Sequence, residues 1–326
     1  MIRMKGVRSL WLLLLLAGVS LSARANYLSN PDAQHFIDMM VSKHGFSRFE
    51  MERWMANADR KDSILEAISR PAEKVLEWKD YRKIFLTSQR IRQGRAFLEA
   101  HKAAFDREEA ELGVSRYIVA AIIGVETRYG HVDGNYRVID ALSTLAFDYP
   151  PRSAFFRRQL EQYFLMTREQ HFNPLSLTGS YAGAMGYGQF IPSSYRDFAI
   201  DFDGDKVADI FDNPVDAIGS VANYFHKHSW QYGSPVADQV QLDAAKAASL
   251  ETDGLKPTLT MADFRKAGVD PSEDVAGTQP TRLITLQGEK GAEYWLTYHN
   301  FYVITRYNHS PLYAMAVYQL AQALAD

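Results

Sequence analysis

The 326-residue sequence contains no cysteine. This absence excludes a disulfide framework, a thiolate zinc site, a cysteine nucleophile and a lipid-modified N-terminal cysteine. Proline and glycine are also sparse, at 12 and 20 residues, so we expect no long flexible linker. The composition, 47% hydrophobic and 23% charged, is that of a globular protein and excludes a wholly disordered or collagen-like chain.

The sequence also lacks a large excess of charge and has no cluster of Lys and Arg residues. Its formal net charge is −3. Binding to nucleic acid depends on concentrated positive charge that neutralises phosphates. We therefore expect no nucleic acid among the partners of this protein.

The first 25 residues have the pattern of a secretory signal peptide. A basic stretch precedes an apolar run over residues 10–19, and the cleavage-type sequence Ala23-Arg24-Ala25 follows. An uncleaved membrane anchor is the alternative, but the run is too short to cross ~30 Å of hydrocarbon as a helix. Cleavage after Ala25 would remove four positive charges and take the formal charge from −3 to −7. We expect the mature chain to be exported and soluble, with no transmembrane segment.

Hydrophobic periodicity predicts a protein that is mainly α, and α+β overall. We divide the mature chain into an N-terminal helical domain (26–113), a helical core (114–235), a small α+β domain (236–300) and a C-terminal segment (301–326). The small domain carries three predicted strands. The C-terminal segment is expected to become helical after Asn308 and to return to the helical body. In the N-terminal domain, Ser88 to Glu111 is predicted to form one long helix.

The helix predicted from Ser115 to Gly130 carries the first candidate catalytic residue, Glu126. Three apolar residues lie on the same face of that helix, namely Val119, Ile122 and Ile123. Desolvation on such a face disfavours the anion and raises the pKa of the carboxyl group, as a general acid requires. A structural alternative is a buried glutamate paired with a nearby arginine.

No second carboxylate stands out at a comparable position. Most glycosidases use two, one as acid and one as nucleophile or base. Asp133, Asp140 and Asp148 are close in sequence, but Asp140 and Asp148 belong to ordinary helix or loop contexts. Two options stay open: a partner from a distant part of the chain, or a nucleophile that the substrate itself supplies.

A second candidate site is the acidic loop from Asp201 to Asp212. Acidic residues occupy positions 1, 3, 5, 9 and 12 of this loop, which is the spacing of a calcium-binding EF-hand. The predicted ligands are Asp201, Asp203, Asp205, the backbone carbonyl of Val207, and Asp212. Lys206 replaces the usual glycine and Asp212 the usual glutamate, which predicts weaker affinity or altered geometry. A solvated acidic loop is the alternative, and a lone loop suits a structural clip better than a sensor.

Glycine and aromatic residues mark two further features. The segment 179–189 is rich in glycine and small residues, which predicts a tight turn with closely packed backbone or, alternatively, a helix–helix crossing. The chain has 18 Tyr and 18 Phe, and tyrosine combines an apolar ring with a polar hydroxyl. The cluster Arg306–Ser310 adds several hydrogen-bonding side chains at a predicted strand-to-helix junction.

Five longer segments occur in fixed order across essentially the whole mature chain. They are IIGVETRYG (122–130), ALSTLAFDYPPR (141–152), GSYAGAMGYGQFIPSSY (179–195), DFDGDKVADIFDNPVDAIGSVANYF (201–225) and NFYVITRYNHS (300–310). Together these segments resemble the membrane-bound lytic transglycosylase B family of peptidoglycan enzymes. Several long motifs in order are far more specific than one short pattern.

The resemblance implies a fold and a set of site residues. The fold would be a goose-type lysozyme-like catalytic core flanked by a helical domain and a small β-containing domain. Glu126 would be the single catalytic acid/base. Saccharide-binding residues would be Ser180, Gln189, Tyr224, Tyr307, Asn308 and Tyr313, with Tyr81 and Arg152 at outer subsites. The acidic loop would bind a structural Ca²⁺, and no organic cofactor is implied.

The resemblance also implies a reaction that resolves the missing carboxylate. Enzymes of this family cleave the β-1,4 bond between N-acetylmuramic acid and N-acetylglucosamine without water, and the muramoyl C6 hydroxyl closes a 1,6-anhydro ring. The substrate then supplies the nucleophile. Alternatives are a hydrolytic muramidase and a non-catalytic, calcium-clipped protein that binds the cell wall. The implied partner is the peptidoglycan glycan strand, and the missing lipid-anchoring cysteine favours a soluble form in a Gram-negative periplasm.

Overall fold

The computed structural model describes residues 27–69, 76–271 and 274–326. The predicted signal peptide lies outside these residues. Helices make up most of the described chain, and a small sheet lies between the central helices and the C-terminal helices in the sequence. None of the described helices is long and apolar enough to cross a membrane.

The described N-terminal part consists of short helices. They are α1 (Pro31–His44), α2 (Arg48–Ala56), α3 (Asp62–Ser69), α4 (Trp78–Phe85), α5 (Ser88–Ala100) and α6 (Lys102–Leu112). Local signals set the first boundaries. The Asn30 side chain accepts two backbone hydrogen bonds at the start of α1, and Gly45 ends α1 in the left-handed conformation. The Ser47 side chain accepts a backbone hydrogen bond at the start of α2.

The prediction of one helix from Ser88 to Glu111 is wrong, because α5 and α6 meet at a break. His101 lies between them with a φ of −116° and a ψ of 27°. In a straight helix, Phe97 and Phe105 would lie ~12 Å apart along the axis. The break brings their ring centroids to 5.9 Å from each other in the core. Tertiary packing of two aromatic rings therefore accompanies a break that helical periodicity did not predict.

The central helices surround α7. They are α7 (Arg116–Thr127), α8 (Val138–Phe147), α9 (Ser153–Glu169), α10 (Pro192–Phe198) and α11 (Pro214–Lys227). Every residue of α7 from Ile118 to Val125 is buried, as expected for a helix that is apolar on nearly all sides. The helix ends at Thr127, with Arg128 in the left-handed conformation, so it ends before the predicted Gly130. Two short strands, β1 (Tyr136–Arg137) and β2 (Thr178–Gly179), pair beside it in antiparallel fashion.

A four-stranded antiparallel sheet follows. Its elements are β3 (Ala237–Val240), α12 (Ala244–Leu250), β4 (Leu259–Thr260), α13 (Met261–Lys266), β5 (Pro280–Gly288) and β6 (Gly291–Thr297), with strand order β3-β6-β5-β4. The three predicted strands are present, and β4 is an addition to them. Leu283 and Leu296 face a small separate core, whereas Ile284 and Trp295 join the main core. Alternate residues of the strands therefore pack against the small domain and against the helical body.

Two helices complete the chain, α14 (His299–Tyr307) and α15 (Pro311–Ala325). The expectation that this segment becomes helical only after Asn308 is wrong, because α14 precedes that residue. Helix α15 packs against α7 and also contacts α4 and α5. This packing carries residues near the end of the sequence to the end of α7 where Glu126 lies.

Candidate active site and acidic loop

Glu126 lies in the last turn of α7. The three apolar residues that share its face are fully buried, whereas Glu126 itself is half-buried. The neighbouring Thr127 fixes the helix end, because its hydroxyl lies 2.9 Å from the Tyr187 carbonyl and accepts the Gly130 N–H at 3.0 Å. The Glu126 carboxyl group is therefore held by a buried helix while remaining partly accessible.

Tyr313 is one partner that the structure brings to Glu126. Its hydroxyl donates to Glu126 Oε1 at 2.6 Å. Burial raises the pKa of Tyr313 well above its ordinary value, and the negative charge of Glu126 adds to the effect. Tyr313 therefore stays protonated as a hydrogen-bond donor. Its position is set by the start of α15, where the Ser310 side chain accepts the Tyr313 N–H at 3.3 Å.

Two further tyrosines form one wall of this site. Burial raises the pKa of Tyr307 well above its ordinary value, and the charge of Glu126 adds to it. The Tyr307 hydroxyl donates to the Gly188 carbonyl. Tyr224 packs edge-on against Tyr307, with ring centroids 4.7 Å apart, and donates its hydroxyl to the Arg306 carbonyl. Burial raises the pKa of Tyr224 to about 12, so these phenols are neutral donors.

The glycine-rich segment forms a compact turn and is not a helix–helix crossing. Two isolated β-bridges hold it, between Gly179 and Met185 and between Met185 and Phe190. Gly186 has a φ of +64°, and a Cβ there would lie 2.3 Å from the Ile210 carbonyl oxygen. Close backbone approach therefore explains why this turn needs glycine.

Ser180 and Gln189, both predicted to bind saccharide, lie in this turn. The Ser180 hydroxyl accepts the N–H groups of Ala182 and Ala184 at 3.2 and 3.0 Å, which leaves its own proton for another acceptor. The Gln189 amide nitrogen donates to the carbonyls of Gly186 and Asp133 at 3.0 and 3.2 Å. Both amide N–H groups are thus used internally, and the Gln189 side-chain oxygen is the group left to contact a ligand.

The other predicted contact residues lie in different surroundings. Tyr81 is buried on α4, close enough to Tyr313 to contribute to raising its pKa. Asn308 is the residue after α14, in extended conformation. Arg152 is exposed, and its guanidinium lies 4.5 Å from the ring centroid of Phe155. The roles of these residues in saccharide binding stay predictions.

The acidic loop brings four carboxylates together, and three of them belong to the predicted set. Asp201, Asp203, Asp205 and Asp216 each offer a ligand atom within 4.8 Å of the others. Asp212 is exposed and is not part of this group. Asp216 takes part instead, from the first turn of α11. Val207 lies in the loop, where its N–H donates to Asp205 Oδ1 at 2.8 Å.

The residues of this loop fit a hard divalent cation. Asp216 is buried and accepts the N–H groups of Phe202 and Asp209 at 2.7 and 2.8 Å. These hydrogen bonds join the backbone of the acidic loop to the start of α11. Burial raises the pKa of Asp216. Lys206 has a φ of +83°, so the turn forms although glycine is replaced. Clustered carboxylate oxygens repel one another unless a cation binds, and Ca²⁺ prefers oxygen ligands.

Sequence reasoning did not single out two residues that the structure places beside the candidate site residues. Asp216 lies four residues beyond the twelve-residue loop that the EF-hand spacing defines, so a fixed spacing could not select it. His228 stacks on Tyr224 at 4.1 Å between ring centroids. Its i, i+4 spacing from Tyr224 on a helix was a usable signal.

Comparison with known proteins supports the fold. A model of the family described as "Transglycosylase SLT domain" matches residues 29–322. The chain is 43% identical over 309 residues to membrane-bound lytic murein transglycosylase B of Escherichia coli (strain K12). That alignment covers 92% of this chain and 84% of the relative.

Solved structures agree with this match. Catenated lytic transglycosylase SltB1 from Pseudomonas aeruginosa superposes with a TM-score of 0.88 at 48% identity, covering 92% of this chain and 99% of that one. The Escherichia coli lytic transglycosylase Slt35 in complex with calcium gives 0.84 at 44% identity, with coverages of 92% and 94%. SltB3 from Pseudomonas aeruginosa in complex with NAG-NAM-pentapeptide gives 0.79 at 30% identity, with coverages of 90% and 78%. These likenesses confirm the predicted lysozyme-like, mainly helical fold. Because the family model spans nearly the whole described chain, this protein belongs to the transglycosylase SLT domain family.

Proposed function

We propose that this chain is a peptidoglycan lytic transglycosylase in which Glu126 is the single catalytic acid/base. The observation that carries the proposal is the hydrogen bond from the buried Tyr313 hydroxyl to Glu126 Oε1, at 2.6 Å, in a site walled by tyrosines. Membership of the family and the name of the Escherichia coli relative, a lytic murein transglycosylase, support the same reaction.

The first step is acid-catalysed cleavage. Protonated Glu126 donates its proton to the glycosidic oxygen between N-acetylmuramic acid and N-acetylglucosamine. The bond from C1 to that oxygen breaks, and the N-acetylglucosamine leaves with a free hydroxyl. The carbonyl oxygen of the muramoyl N-acetyl group bonds to C1 and gives an oxazolinium intermediate.

The second step closes the ring and restores the enzyme. The Glu126 carboxylate takes the proton of the muramoyl C6 hydroxyl, and the C6 oxygen attacks C1. The bond between C1 and the acetyl oxygen breaks, which yields the 1,6-anhydro product and protonated Glu126. No water is consumed, so no second carboxylate is required to activate one.

The surrounding residues bind and orient in this proposal. Tyr313 holds the Glu126 carboxyl group in one orientation. Tyr307 and Tyr224 are proposed to line the saccharide site, with the half-buried Tyr307 in front and the buried Tyr224 packed against it. The free Ser180 proton and the Gln189 side-chain oxygen offer polar contacts to the saccharide. Asn308, Tyr81 and Arg152 are proposed to contact sugars farther from the reacting bond.

The test is mass spectrometry of muropeptides released from purified sacculi by the mature protein and by Glu126→Gln. We expect products one water lighter than hydrolytic muropeptides, and none from the variant, because glutamine lacks the titrating proton but keeps the volume. Retention of more than a small fraction of the activity by Glu126→Gln would refute the assignment. Full-mass products would indicate a hydrolytic muramidase, and binding without release would indicate a non-catalytic wall-binding protein.

We also propose that the acidic loop binds a structural Ca²⁺. The clustered carboxylates of Asp201, Asp203, Asp205 and Asp216 support this assignment, as does the calcium complex of Slt35. The ion would join the loop to α11 and so brace the helix that carries Tyr224. It takes no part in bond cleavage.

The proposed place of action is the periplasm, after removal of the signal peptide predicted at residues 1–25. Peptidoglycan glycan strands are the proposed partner. The name of SltB3 in complex with NAG-NAM-pentapeptide supports a substrate that carries its stem peptide. Cell fractionation with an antibody against the mature chain tests the location, and recovery in the cytoplasm would contradict it.

A further inference from the structure

A groove lined by aromatic residues opens beside α2 and the end of α9. Its volume is about 270 Å³. That is just below the ~300–1,000 Å³ usual for small-molecule sites, so the groove suits a short stretch of a longer ligand. Three aromatic and three polar residues dominate its lining, and they are Phe46, Trp54, Phe172, Glu50, Arg168 and His171.

Trp54 offers a flat apolar surface to this groove. Its ring stacks on Phe164, with ring centroids 5.4 Å apart and an interplanar angle of 18°. Phe164 is fully buried, whereas Trp54 is half-buried and lines the groove. The core therefore covers one face of the indole, and the exposed part of the ring borders the groove. Such a surface can pack against the C–H face of a sugar ring.

Polar side chains surround this aromatic surface. Arg168 Nη1 donates to the His44 carbonyl at 2.8 Å, and the guanidinium lies 4.1 Å from the ring centroid of Phe46. These two contacts hold the guanidinium in place and leave further N–H groups to donate to a ligand. Glu50 and His171 are exposed, and they add a carboxylate acceptor and an imidazole that can donate or accept.

The groove is separate from the proposed catalytic site. The contact between Tyr313 and Glu126 joins α15 to α7. The groove is formed instead by α2 and by the end of α9, a helix that packs against α8 and α10. Phe172 in its lining packs edge-on against Phe211 of the acidic loop, with ring centroids 5.6 Å apart. None of the residues that line the groove is among the predicted saccharide-binding residues.

We propose that this groove, formed by α2 and the end of α9, is a second saccharide-binding site that holds N-acetylated sugars of a glycan strand away from the reacting bond. The identity of that strand rests on the proposed function. A sugar ring would pack on Trp54, its acetamido carbonyl would accept from Arg168, and its hydroxyls would bond to Glu50. A strand held here and at Glu126 leaves the enzyme only when both contacts are lost, so the second site increases retention on an insoluble polymer.

The composition of the lining favours a saccharide over other occupants. A nucleic acid or an anionic headgroup requires concentrated positive charge, whereas Arg168 is accompanied by Glu50 in this groove. A neutral ligand rich in hydroxyl groups uses donors and acceptors together with a flat apolar surface. An apolar side chain of a protein partner would use the aromatic surface alone, and it is the competing occupant that the test separates.

Nuclear magnetic resonance of the Trp54 indole N–H tests binding directly. The mature protein is prepared with isotope-labelled tryptophan, and Trp54→Phe identifies the Trp54 signal by its loss. The probe is the linear tetrasaccharide of N-acetylglucosamine, which carries no peptide. We expect the Trp54 signal to shift and to saturate as the probe is added. Absence of a shift would overturn the proposal, as would a shift that only peptide-bearing fragments produce.

Arg168→Gln tests whether the shift reports binding in the groove itself. We expect the affinity read from the Trp54 signal to fall about 10-fold, because the change removes a charged donor. Arg53→Gln is the matched control, since Arg53 is also exposed and lies on α2 but does not line the groove. Equal affinities for the two variants would contradict a saccharide contact at Arg168.

Retention on purified sacculi tests the role of the groove in holding the polymer. All proteins carry Glu126→Gln, so that the sacculi stay intact. Adding Trp54→Leu removes the flat ring and should lower the affinity for sacculi about 3- to 10-fold, the effect of one aromatic contact. Phe49→Ala is the control, because Phe49 is 73% exposed on the same helix and does not line the groove. Its affinity should equal that of the parent, and equal losses in both variants would refute the proposal.

The two proposals fail in different ways. Absence of turnover by the wild type would refute the proposed function, whereas the Trp54 titration decides the groove without any turnover. Turnover by the wild type, with a Trp54 signal that does not respond to the tetrasaccharide, would refute the groove alone. Melting curves show whether each variant is folded, and Arg168→Gln replaces Trp54→Leu in the sacculus assay if the latter is not.

Discussion

Glu108 is a buried acid whose ionisation the fold opposes, and the sign of its effect on stability can be worked out. It lies on α6, fully buried, and both carboxyl oxygens lack hydrogen-bond partners among the described residues. Burial raises its pKa to about 9; the charge of Glu109 adds to the shift and that of Arg116 opposes it. The folded protein therefore holds a proton on Glu108 at neutral pH, whereas the unfolded chain releases it.

The pH window follows from these two pKa values. Below the ordinary value of 4.5, Glu108 is protonated in both states and costs no stability through ionisation. As the pH rises from there to about 9, the folded state binds one more proton than the unfolded state. The free energy of unfolding then falls by ~1.4 kcal/mol per pH unit. At pH 8 the accumulated loss is about 5 kcal/mol, a large share of the 5–15 kcal/mol typical of a domain.

Glu108→Gln removes this titration and keeps the shape of the side chain. We expect the free energy of unfolding of the variant, minus that of the wild type, to increase by about 4 kcal/mol from pH 5 to pH 8. The difference in free energy of unfolding at pH 5 depends on how the core accommodates the buried amide of the variant. The slope with pH does not, so the slope is the diagnostic quantity.

The assay is denaturant unfolding at several pH values between about 5 and 8, under conditions where unfolding is reversible. Glu111→Gln is the control, because Glu111 lies on the same helix in an exposed ion pair with Arg107. Exposed ion pairs contribute ~0–1 kcal/mol to stability. The free energy of unfolding of Glu111→Gln, minus that of the wild type, should therefore change little with pH. Parallel curves for Glu108→Gln and the wild type would show that Glu108 is ionised in the folded protein. If the free energy of unfolding of the variant minus that of the wild type decreased as the pH rises, the predicted sign would be wrong.

Three further predictions test other parts of the structure. Tyr313→Phe should lower kcat about 10- to 100-fold with little change in KM, because it removes a charged hydrogen bond of ~1.5–3 kcal/mol; an unchanged kcat would contradict the proposed site. Chelation should lower the Tm and excess Ca²⁺ should restore it, because Ca²⁺ at 100 times its Kd adds ~2.7 kcal/mol to the free energy of unfolding. Asp205→Asn should weaken this response and Asp212→Asn should not; an unchanged melting curve would contradict the proposed Ca²⁺ site. Gly186→Ala should destabilise the protein by more than Gly254→Ala. Both glycines have positive φ, but a backbone carbonyl blocks a Cβ at Gly186 and no atom lies within 4 Å of one at Gly254. Equal free energies of unfolding for the two variants would argue against close packing of the turn.

Much of the helical architecture could be predicted because its signals are local. Asn30, Ser47 and Gly45 act on groups a few residues away, and the apolar face of α7 is set by spacing within one helix. The break at His101 could not be predicted in this way. It is associated with the contact between Phe97 and the facing ring, which depends on how α5 and α6 pack.

The acidic loop shows the same division within one site. The positions of Asp201, Asp203 and Asp205 follow from a spacing that a single loop imposes. The fourth carboxylate comes from outside the loop, because α11 begins beneath it and directs Asp216 toward the others. The exposed Asp212 satisfies the sequence pattern and yet lies outside the cluster. A spacing rule identifies the candidate ligands on one loop and says nothing about a carboxylate that another element contributes.

The contact between Tyr313 and Glu126 joins residues 187 positions apart in the chain. The apolar stripe of α7 identified Glu126, but neither periodicity nor charge could measure its distance from the start of α15. Resemblance to a family suggested Tyr313, and the packing of α15 against α7 gives it a physical role. The same helix start carries Leu312, which lines a groove together with residues 282–286 of β5. One helix N-terminus therefore carries both the hydrogen-bond donor to Glu126 and a residue that lies beside the small sheet.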